Sequence, residues 1–375
     1  MQYGVGIIGF GFIGRVHAYC HLNMPIFYTP PPLQTKLLGV CTSRQLTAEA
    51  AKQQFHFEFA TTDYQQILQR DDIQIVHCCT PNSFHKQFLV DAMNAGKHIY
   101  CDKPLAMNYS EAEAILNASK AYRKKFQMTF QYQFFPATMR AKQLIDDGFL
   151  GDVYSFRAAY LHAGYIDPDR PITWRLDKSL SGGGSLFDLG SHISDLIYHL
   201  LGDFHSVCSL SETFIKERPI KDFAKKKRVD VDDITLMMVR LKSGAIGTIE
   251  TSRIATGMND ELRFEIHGKK GAIRFNLMEP NWLEVYNMRD ADSPIGGNRG
   301  FKKLETVQRY PESAGFPGPK FSIGWMRGHV ACLHHFLQCI AQNEVPVPGL
   351  DEGVVVQKIM DRVEQSNHRG RWVDV

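Results

Sequence analysis

Short apolar runs alternate with amphipathic helical patterns through the first third of the chain. The apolar runs, which predict β-strands, are at residues 5–9, 36–41, 73–79, 98–101 and 127–133. The helical patterns between them are at residues 13–22, 48–55, 64–69, 85–95 and 110–125. Strands that are connected through helices pair in parallel by right-handed crossovers, so this part of the chain is predicted to form an α/β domain with a parallel sheet.

The pattern changes near residue 150, where strand-like runs begin to dominate. These runs are at residues 153–160, 206–214, 234–241, 245–251, 262–268, 272–276 and 282–286. Turn signals at 242–244 and 269–271 join neighbouring runs closely, which predicts antiparallel pairing. Helical patterns accompany the strands at residues 185–201, 329–342 and 351–368. We therefore expect an α+β domain with a mainly antiparallel sheet in the second part of the chain.

Two domains are expected, at residues 1–125 and 126–375, because the length of 375 residues suits two sizeable cores. The C-terminal helix can pack back on the first domain. Four prolines predict a surface loop at 23–34, and glycine and proline predict a long loop at 290–319. The basic run at 225–228 is interpreted as a solvated loop rather than a phosphate-binding patch.

The bulk composition is that of a soluble globular protein, with 44% hydrophobic and 22% charged residues. A net charge of +3 is too small to indicate a nucleic-acid partner. The sequence shows neither a signal peptide nor an apolar stretch of membrane-spanning length. Its eight cysteines include no C-x-x-C pair and are predicted to be free buried thiols. A cytoplasmic location is therefore expected.

A glycine-rich loop follows the first strand directly. Gly9, Gly11 and Gly14 have the G-x-G-x-x-G spacing of loops that bind a dinucleotide pyrophosphate. The first glycine allows a tight turn, the second lets the backbone approach the pyrophosphate, and the third lets the next helix pack on the strand. Together with Phe12 and Ile13, these glycines are candidates for cofactor binding; the alternative is an ordinary tight turn.

Polar residues follow two of the later strands, at the edge where open parallel sheets bind their ligands. Thr80, Asn82 and His85 are candidate cofactor contacts, although Asn82 would also suit a helix cap. Lys103 could donate a proton or orient a hydroxyl or carbonyl group, and Asp102 could accept a hydrogen bond from a ribose. The alternative for Lys103 is a surface lysine that precedes a turn.

The predicted helix at 185–201 carries a polar stripe beside an apolar one. Asp188, His192, Asp195 and His199 share a face at helical spacing, as on the wall of a cleft. Asp188 could orient the imidazole of His192 and raise its basicity. A zinc site is a rival interpretation, but the sequence offers no convincing third ligand, so no metal is expected. A third possibility is that these groups only cap the helix and satisfy one another.

The end of the second strand bears on the choice of cofactor. NAD-binding folds usually place Asp or Glu here to bind the ribose hydroxyls, and neither residue occurs between 40 and 48. Ser43 and Arg44 could instead hold a 2′-phosphate, since arginine is a natural phosphate partner. The cofactor is therefore predicted to be NAD or NADP, with NADP favoured.

In this order, the motifs at 9–14, 80–85, 101–104 and 182–195 resemble those of the glucose–fructose oxidoreductase, inositol dehydrogenase and rhizopine catabolism family (Gfo/Idh/MocA). The resemblance covers essentially the whole chain. It implies an N-terminal Rossmann domain and a C-terminal α+β domain whose large sheet forms homodimer or homotetramer contacts. It also implies that the substrate, a sugar, cyclitol or related polyol, lies between the two domains.

The resemblance further implies roles for individual residues. Lys103, Asp188 and His192 match the family positions that move the substrate proton. Gln131 begins a run where many members have an N-Y-R-F-like sequence, and Asp102 replaces the usual glutamate of the E-K-P motif. Three more residues are assigned to the cofactor side of the pocket: Gln131, Trp174 and Arg175. The residues assigned to the substrate are Tyr160, His162 and Asp195.

The expected activity is hydride transfer between the nicotinamide and a hydroxyl or carbonyl carbon of the substrate, with His192 as acid/base, Asp188 tuning it, and Lys103 stabilising charge on the substrate oxygen. Two alternatives stay open. One is a glycosidase that oxidises and re-reduces its sugar with tightly held NAD. The other is a ligand sensor that binds the dinucleotide without catalysis.

Overall fold

Two large β-sheets organise the protein, which we describe from a computed structural model covering residues 2–223 and 225–375. Within those residues, the first sheet has six strands and the second has nine. A third, separate sheet is a ribbon of two strands. None of the described helices combines the length and apolarity that crossing a bilayer requires.

The first sheet is parallel throughout and confirms the predicted α/β architecture. Its strands are β1 (Gln2–Ile8), β2 (Gln34–Cys41), β3 (Phe59–Thr61), β4 (Ile73–Cys78), β5 (His98–Cys101) and β6 (Phe126–Met128), and its helices are α1 (Phe12–Phe27), α2 (Gln45–Phe55), α3 (Gln65–Leu68), α4 (His85–Asn94) and α5 (Tyr109–Ala118). The spatial order is β3-β2-β1-β4-β5-β6, so the chain reverses direction across the sheet between β1 and β4. A crevice for ligands forms at the carboxyl ends of strands at such a reversal.

The second sheet is mixed but mainly antiparallel, as expected. Its strands and those of the ribbon are β7 (Val153–Leu161), β8 (Phe204–Glu212), β9 (Glu217–Pro219), β10 (Lys226–Arg228), β11 (Ile234–Leu241), β12 (Ile246–Ser252), β13 (Glu261–Gly268), β14 (Gly271–Asn276), β15 (Trp282–Asn287), β16 (Lys302–Glu305) and β17 (Val373–Asp374). The order is β16-β15-β14-β13-β7-β12-β11-β8-β17. Only β7 and β12, among the described strands of this sheet, pair in parallel.

Helices cover one face of the second sheet. The remaining helices are α6 (Pro136–Asp146), α7 (Lys178–Ser181), α8 (Ser191–Leu201), α9 (Trp325–Gln342) and α10 (Leu350–Arg369). Helices α6, α8 and α10 pack against strands of this sheet. Side chains of β11 alternate strictly between buried and exposed, as expected for a sheet that is covered on one face only. The other face is open.

The predicted loop at 23–34 is wrong in its first part, because α1 continues to Phe27 with Pro25 inside it. Proline lacks the N–H that would bond the carbonyl four residues earlier, and its ring crowds that carbonyl, which agrees with the end of the helix two residues later. The Thr29 hydroxyl donates a hydrogen bond to the Pro25 carbonyl, which satisfies one acceptor at the helix end. The connecting loop is therefore limited to residues 28–33.

Other boundaries also differ from those expected. The predicted strand at 127–133 ends at Met128 and gives way to a 3-10 turn, Gln131–Phe134, after which α6 begins on a proline. β16 lies inside the predicted loop at 290–319, and β10 occupies part of the basic run. The side chains of β10 are nevertheless exposed, so its charges are solvated as predicted. β6 pairs with β5 and lies beyond residue 125, so the parallel sheet extends past the expected domain boundary.

The C-terminal helices pack back on the first sheet. α9 contacts α1, and α10 contacts α5 and β6 as well as β8. One hydrophobic core includes residues of β1, α1 and β2 together with Leu333, Phe336 and Leu337 of α9. The end of the chain therefore contributes to the stability of its beginning.

We expect Leu337→Ala to lower the free energy of unfolding by about 2–5 kcal/mol, because it deletes a fully buried side chain and leaves a cavity. Leu46→Ala is the matched control, since Leu46 is 82% exposed on α2 and its removal should have little effect. Urea unfolding followed by circular dichroism measures both. Equal stability of the two variants would contradict the role given to α9.

Candidate functional site

A cavity of about 480 Å³ lies between the carboxyl ends of the parallel strands and the covered face of the second sheet. The first half of the chain lines it with Ile13, Thr80 and Lys103, and the second half with Asp188 and His192. The cavity is therefore where the sheet reversal predicts a ligand site, and neither half forms it alone.

The glycine loop borders this cavity, and two of its glycines are required by geometry. Gly9 has a φ of +86°, and a Cβ there would lie 2.3 Å from the Cys79 carbonyl oxygen. A Cβ on Gly14 would lie 2.3 Å from the Gly9 carbonyl oxygen. A Cβ on Gly11 would instead meet none of the described atoms within 4 Å, so this backbone faces open space at the start of α1. A helix N-terminus with an open approach fits a dinucleotide pyrophosphate.

The residues after β4 divide between the cavity and the interior. Thr80 and Asn82 line the cavity, and the Asn82 amide also donates a 2.7 Å hydrogen bond to the Ser181 carbonyl of the second half. His85 lies outside the cavity and is fully buried. Its Nε2 donates to the Thr80 carbonyl, and its ring lies beside the thiols of Cys78 and Cys101. The expected contact of His85 with the cofactor is therefore wrong. The histidine supports the loop from the protein interior, because its ring is hydrogen-bonded to the Thr80 carbonyl.

Lys103 and Asp188 form an ion pair between the two halves. Lys103 Nζ lies 3.0 Å from Asp188 Oδ1 and 2.6 Å from the Asp188 carbonyl oxygen. Burial would raise the pKa of Asp188, but the charges of Lys103, Arg175 and Arg253 outweigh it and hold the pKa well below its usual range. Asp188 is therefore a carboxylate at every physiological pH.

His192 lies on the same cavity wall as Lys103, and the effect of Asp188 on it is smaller than that of burial and of Lys103. Burial lowers the pKa of His192 well below its usual value, and the Lys103 charge lowers it further, against a smaller opposite effect of Asp188. Asp188 does raise the basicity of His192 as predicted, but the effect is outweighed, and the Asp188 carboxylate bonds Lys103 and makes no hydrogen bond to the imidazole among the described residues. His192 is a neutral imidazole whose Nδ1 has no hydrogen-bond partner among the described residues.

The predicted polar face of the 185–201 segment is broken near its start. Leu186–Gly190 forms a π-helical turn, and the α-helix begins only at Ser191. A π turn winds more residues than an α turn, so helical spacing does not carry across it; such turns are frequent at functional sites. Asp195 lies outside the cavity, buried, and both its carboxylate oxygens accept from Gln133 Nε2 at 2.9 Å. Burial raises its pKa well above the usual value. Its expected substrate contact is corrected, since Gln133 uses it.

Tyr160 and His162 do line the cavity and meet at Asp260. The Tyr160 hydroxyl donates to Asp260 Oδ1 at 2.8 Å, and His162 Nε2 lies 3.1 Å from the same oxygen. The side chain of Tyr132 adds a hydroxyl contact to Tyr160. This corner of the cavity therefore presents a carboxylate, an imidazole and phenols, which are groups that bind hydroxyls.

The remaining predicted residues fall into two sets. On the cavity wall lie Phe12, Asp102, Gln131, Trp174 and Arg175. Asp102 also accepts a 2.9 Å hydrogen bond from Thr129, and the Arg175 guanidinium stacks over Trp174. Ser43 and Arg44 lie outside this cavity, exposed after β2, whose last carbonyl accepts from the amide of Gly9. They are thus beside the glycine loop rather than beside Lys103.

Several residues of the cavity wall were not found from sequence. They are Tyr132, Arg253, Asp260, Trp325 and His329. Arg253 is buried and faces Asp188 at 3.9 Å; a charge directly after a predicted strand was the signal that could have found it. Trp325 and His329 come from α9, which reaches the site only through long-range packing, so local sequence gave no signal for them.

Comparison with known proteins places these features in one family. Residues 3–130 match the model of an oxidoreductase family with an NAD-binding Rossmann fold, and residues 138–274 match the GFO/IDH/MocA C-terminal domain. The levoglucosan dehydrogenase of Pseudarthrobacter phenanthrenivorans is 35% identical over 99% of this chain and 97% of its own length. The D-glucoside 3-dehydrogenase of Escherichia coli is 29% identical, again over 99% of this chain and 97% of its own.

A solved structure agrees with this fold closely. Levoglucosan dehydrogenase in complex with NADH and levoglucosan is 34% identical and has a TM-score of 0.94. The match covers 100% of this chain and 99% of that one. The match therefore includes both halves of the fold. The chain belongs to the GFO/IDH/MocA family of oxidoreductases and carries its NAD-binding Rossmann fold.

Proposed function

We propose that the protein is an NAD(P)-dependent dehydrogenase or reductase that acts on a hydroxyl or carbonyl group of a sugar, cyclitol or related polyol. The observation that carries this proposal is the convergence of Lys103 and His192, one from each half of the chain, on a single cavity beside the glycine loop. When bound, the nicotinamide supplies a hydride acceptor or donor.

The residues on the cavity wall divide the remaining work. His192, as a buried neutral imidazole, can accept the proton of a substrate hydroxyl. Lys103, held by the carboxylate of Asp188, can donate a hydrogen bond to the same oxygen and stabilise its developing negative charge. The pyrophosphate would be held by the loop of Gly9, Gly11 and Gly14.

The opposite corner of the cavity supports a polyhydroxylated substrate. Tyr160 donates a hydrogen bond to Asp260, His162 Nε2 lies 3.1 Å from the same carboxylate oxygen, and Arg253 adds a buried cation. Relatives named for levoglucosan, D-glucoside and inositol oxidation make these the first compounds to test. A screen of sugars and cyclitols with NAD and NADP, followed by absorbance of the reduced nicotinamide, tests the proposal.

The two alternative functions make different predictions in that screen. A glycosidase with tightly held NAD would cleave its sugar without net formation of reduced cofactor. A sensor would bind dinucleotide and sugar and convert neither. Net reduction of added cofactor by a sugar therefore excludes both alternatives, and its complete absence would contradict the dehydrogenase proposal.

We expect Lys103→Ala and His192→Ala each to lower kcat/KM by about 10²- to 10⁴-fold, the contribution of positioned acid–base groups, while cofactor binding is retained. His199→Ala is the matched control, because this histidine is on the same helix but outside the cavity. Steady-state kinetics measure kcat/KM, and fluorescence titration with the reduced cofactor measures cofactor binding. Near-full activity of either variant would refute its assigned role.

The cofactor preference is proposed from the end of β2. Arg44 is exposed beside the glycine loop, and no acidic residue occurs between positions 40 and 48 to repel a phosphate. We propose that the chain accepts the 2′-phosphate of NADP through Ser43 and Arg44, as well as binding NAD.

Arg44→Ala should raise the KM for NADP by about 10- to 100-fold, the equivalent of the 1.5–3 kcal/mol of a hydrogen bond to a charged group. The KM for NAD should change little, because NAD lacks the 2′-phosphate, so the two cofactors are each other's control. Parallel kinetics with both cofactors measure this. An equal change for both, or no use of NADP by the unmodified protein, would contradict the proposed preference.

The open face of the second sheet supports a homodimer or homotetramer. Leu236 pairs directly with Leu210 across β11 and β8, and both are exposed beside Met238. Contiguous exposed apolar side chains commonly mark an interface. The eight free thiols, all within the described residues, support the cytoplasmic location that we also propose.

A double substitution, Leu236→Lys with Met238→Lys, should shift the assembly towards monomer, because each apolar side chain contributes about 1.5–3 kcal/mol when buried. Light scattering coupled to gel filtration measures the mass, and Leu46→Lys, exposed on α2, serves as control. An assembly that is unchanged by the double substitution would place the interface elsewhere.

A further inference from the structure

A hydrogen-bonded row of three buried histidines runs through the parallel-sheet domain, apart from the residues assigned to catalysis. His17 and His21 are one turn apart on α1, and His77 lies on β4. His17 Nδ1 and His77 Nδ1 are 3.0 Å apart, and His77 Nε2 and His21 Nε2 are 2.9 Å apart. His21 Nδ1 is 2.9 Å from the Thr35 hydroxyl. Four side chains are thus connected in series.

The geometry of the row suits proton transfer along it and does not suit the binding of an ion. His77 uses both ring nitrogens, one towards each neighbour, so the nitrogens follow one another in a line instead of converging on a point. The Tyr100 ring packs 5.0 Å from the rings of both His17 and His77. Burial lowers the pKa of His17 and of His21 to about 3 and that of His77 well below its usual value. Each ring is therefore neutral, with one N–H and one lone pair.

The inner end of the row is beside the cavity. His17 is buried and its Nε2 has no partner among the described residues. Cys79, which lines the cavity, places its thiol 3.1 Å from His17 Nδ1. His329, also on the cavity wall, has both ring nitrogens unpaired within the described structure and is close enough for its charge to lower the pKa of His17. Cys79 and His329 thus line the cavity near the inner end of the row, and His17 and His329 both have nitrogens that the described residues leave unused.

The outer end of the row is near solvent. Thr35 is only partly buried, and it lies on β2 between Gln34 and Lys36, which are exposed. A hydroxyl can accept a proton from His21 while its own proton passes to water. The row therefore runs from His17, beside the cavity-lining Cys79, to the partly buried Thr35.

We propose that His17, His77, His21 and Thr35 form a proton relay between the cavity and solvent. The relay rests on the proposed function, since oxidising an alcohol to a carbonyl transfers a hydride to the nicotinamide and releases one proton. That proton, taken first by His192, has to leave the cavity for solvent before the next turnover.

The transfer balances at every ring. A proton that arrives at His17 Nε2 displaces the Nδ1 proton to His77 Nδ1, and the His77 Nε2 proton then moves to His21 Nε2. The His21 Nδ1 proton moves to Thr35, which gives its own proton to water. Each ring gains one proton and loses one, so the row ends neutral with its tautomers reversed. Reduction of a carbonyl runs the same steps inwards.

The experiment compares hydride transfer with proton release in a single turnover. Stopped-flow absorbance of the reduced nicotinamide reports the hydride, and a pH indicator in weak buffer reports the proton, with NAD and levoglucosan or the best sugar of the screen. In the unmodified protein both should appear together. In His77→Phe the hydride signal should persist, while the proton signal lags behind it because its rate falls by about 10²-fold, the lower end of proton-transfer effects. Added imidazole should restore the proton signal.

Two further variants separate a relay from a structural role. His334→Phe is the matched control, because His334 is buried in the same domain but stacks on Tyr28 and is outside the row. Its proton and hydride signals should remain together. Thr35→Val keeps the size of the side chain near the surface and should reproduce the lag even if His77→Phe does not fold. Proton release in step with hydride transfer in Thr35→Val and in folded His77→Phe would overturn the relay. Failure of the unmodified protein to reduce either cofactor would instead be a failure of the proposed function.

Discussion

The ion pair between Lys103 and Asp188 is the contact on which the geometry of the site depends. Lys103 follows β5 of the parallel sheet, whereas Asp188 lies in the π-helical turn of the second half, so their 3.0 Å contact sets the distance between the halves at the cavity. A buried carboxylate without a partner would be strongly destabilising, and Arg175 and Arg253 add to its compensation. Burial, together with the Lys103 charge, keeps His192 neutral, which links the assembly of the site to its chemistry.

Several polar groups that resemble site residues in sequence hold the cavity in shape instead. The Asn82 amide reaches the Ser181 carbonyl across the two halves. Both carboxylate oxygens of Asp195 accept hydrogen bonds from Gln133, and His85 donates one to the Thr80 carbonyl of the loop that it supports. Buried polar groups have to be hydrogen-bonded, so each of these contacts also restricts how the wall of the cavity can move. Rigid support of this kind positions reacting groups.

Local rules predicted the fold well where burial is uniform. The strand at 73–79 was found within one residue, because a strand covered on both faces is continuously apolar. β3 was missed because three residues carry too little pattern, and β16 because it lies in a segment rich in glycine and proline. The start of α6 on Pro136 was missed although proline is favoured at the first position of a helix, and the continuation of α1 through Pro25 runs against the usual effect of proline. The π turn left no mark in the helical periodicity of the segment.

The sequence by itself determined the dinucleotide loop, the strand ends that carry Thr80 and Lys103, and the presence of His192 on a helix beside an apolar stripe. These follow from spacing along the chain, which sets the direction of each side chain within its own element. Only the tertiary structure decided that Asp188 pairs with Lys103 rather than His192, and that His77 joins His17 and His21. Partners of this kind are selected by competition among charges and by long-range packing, and neither is encoded in the spacing of neighbouring residues.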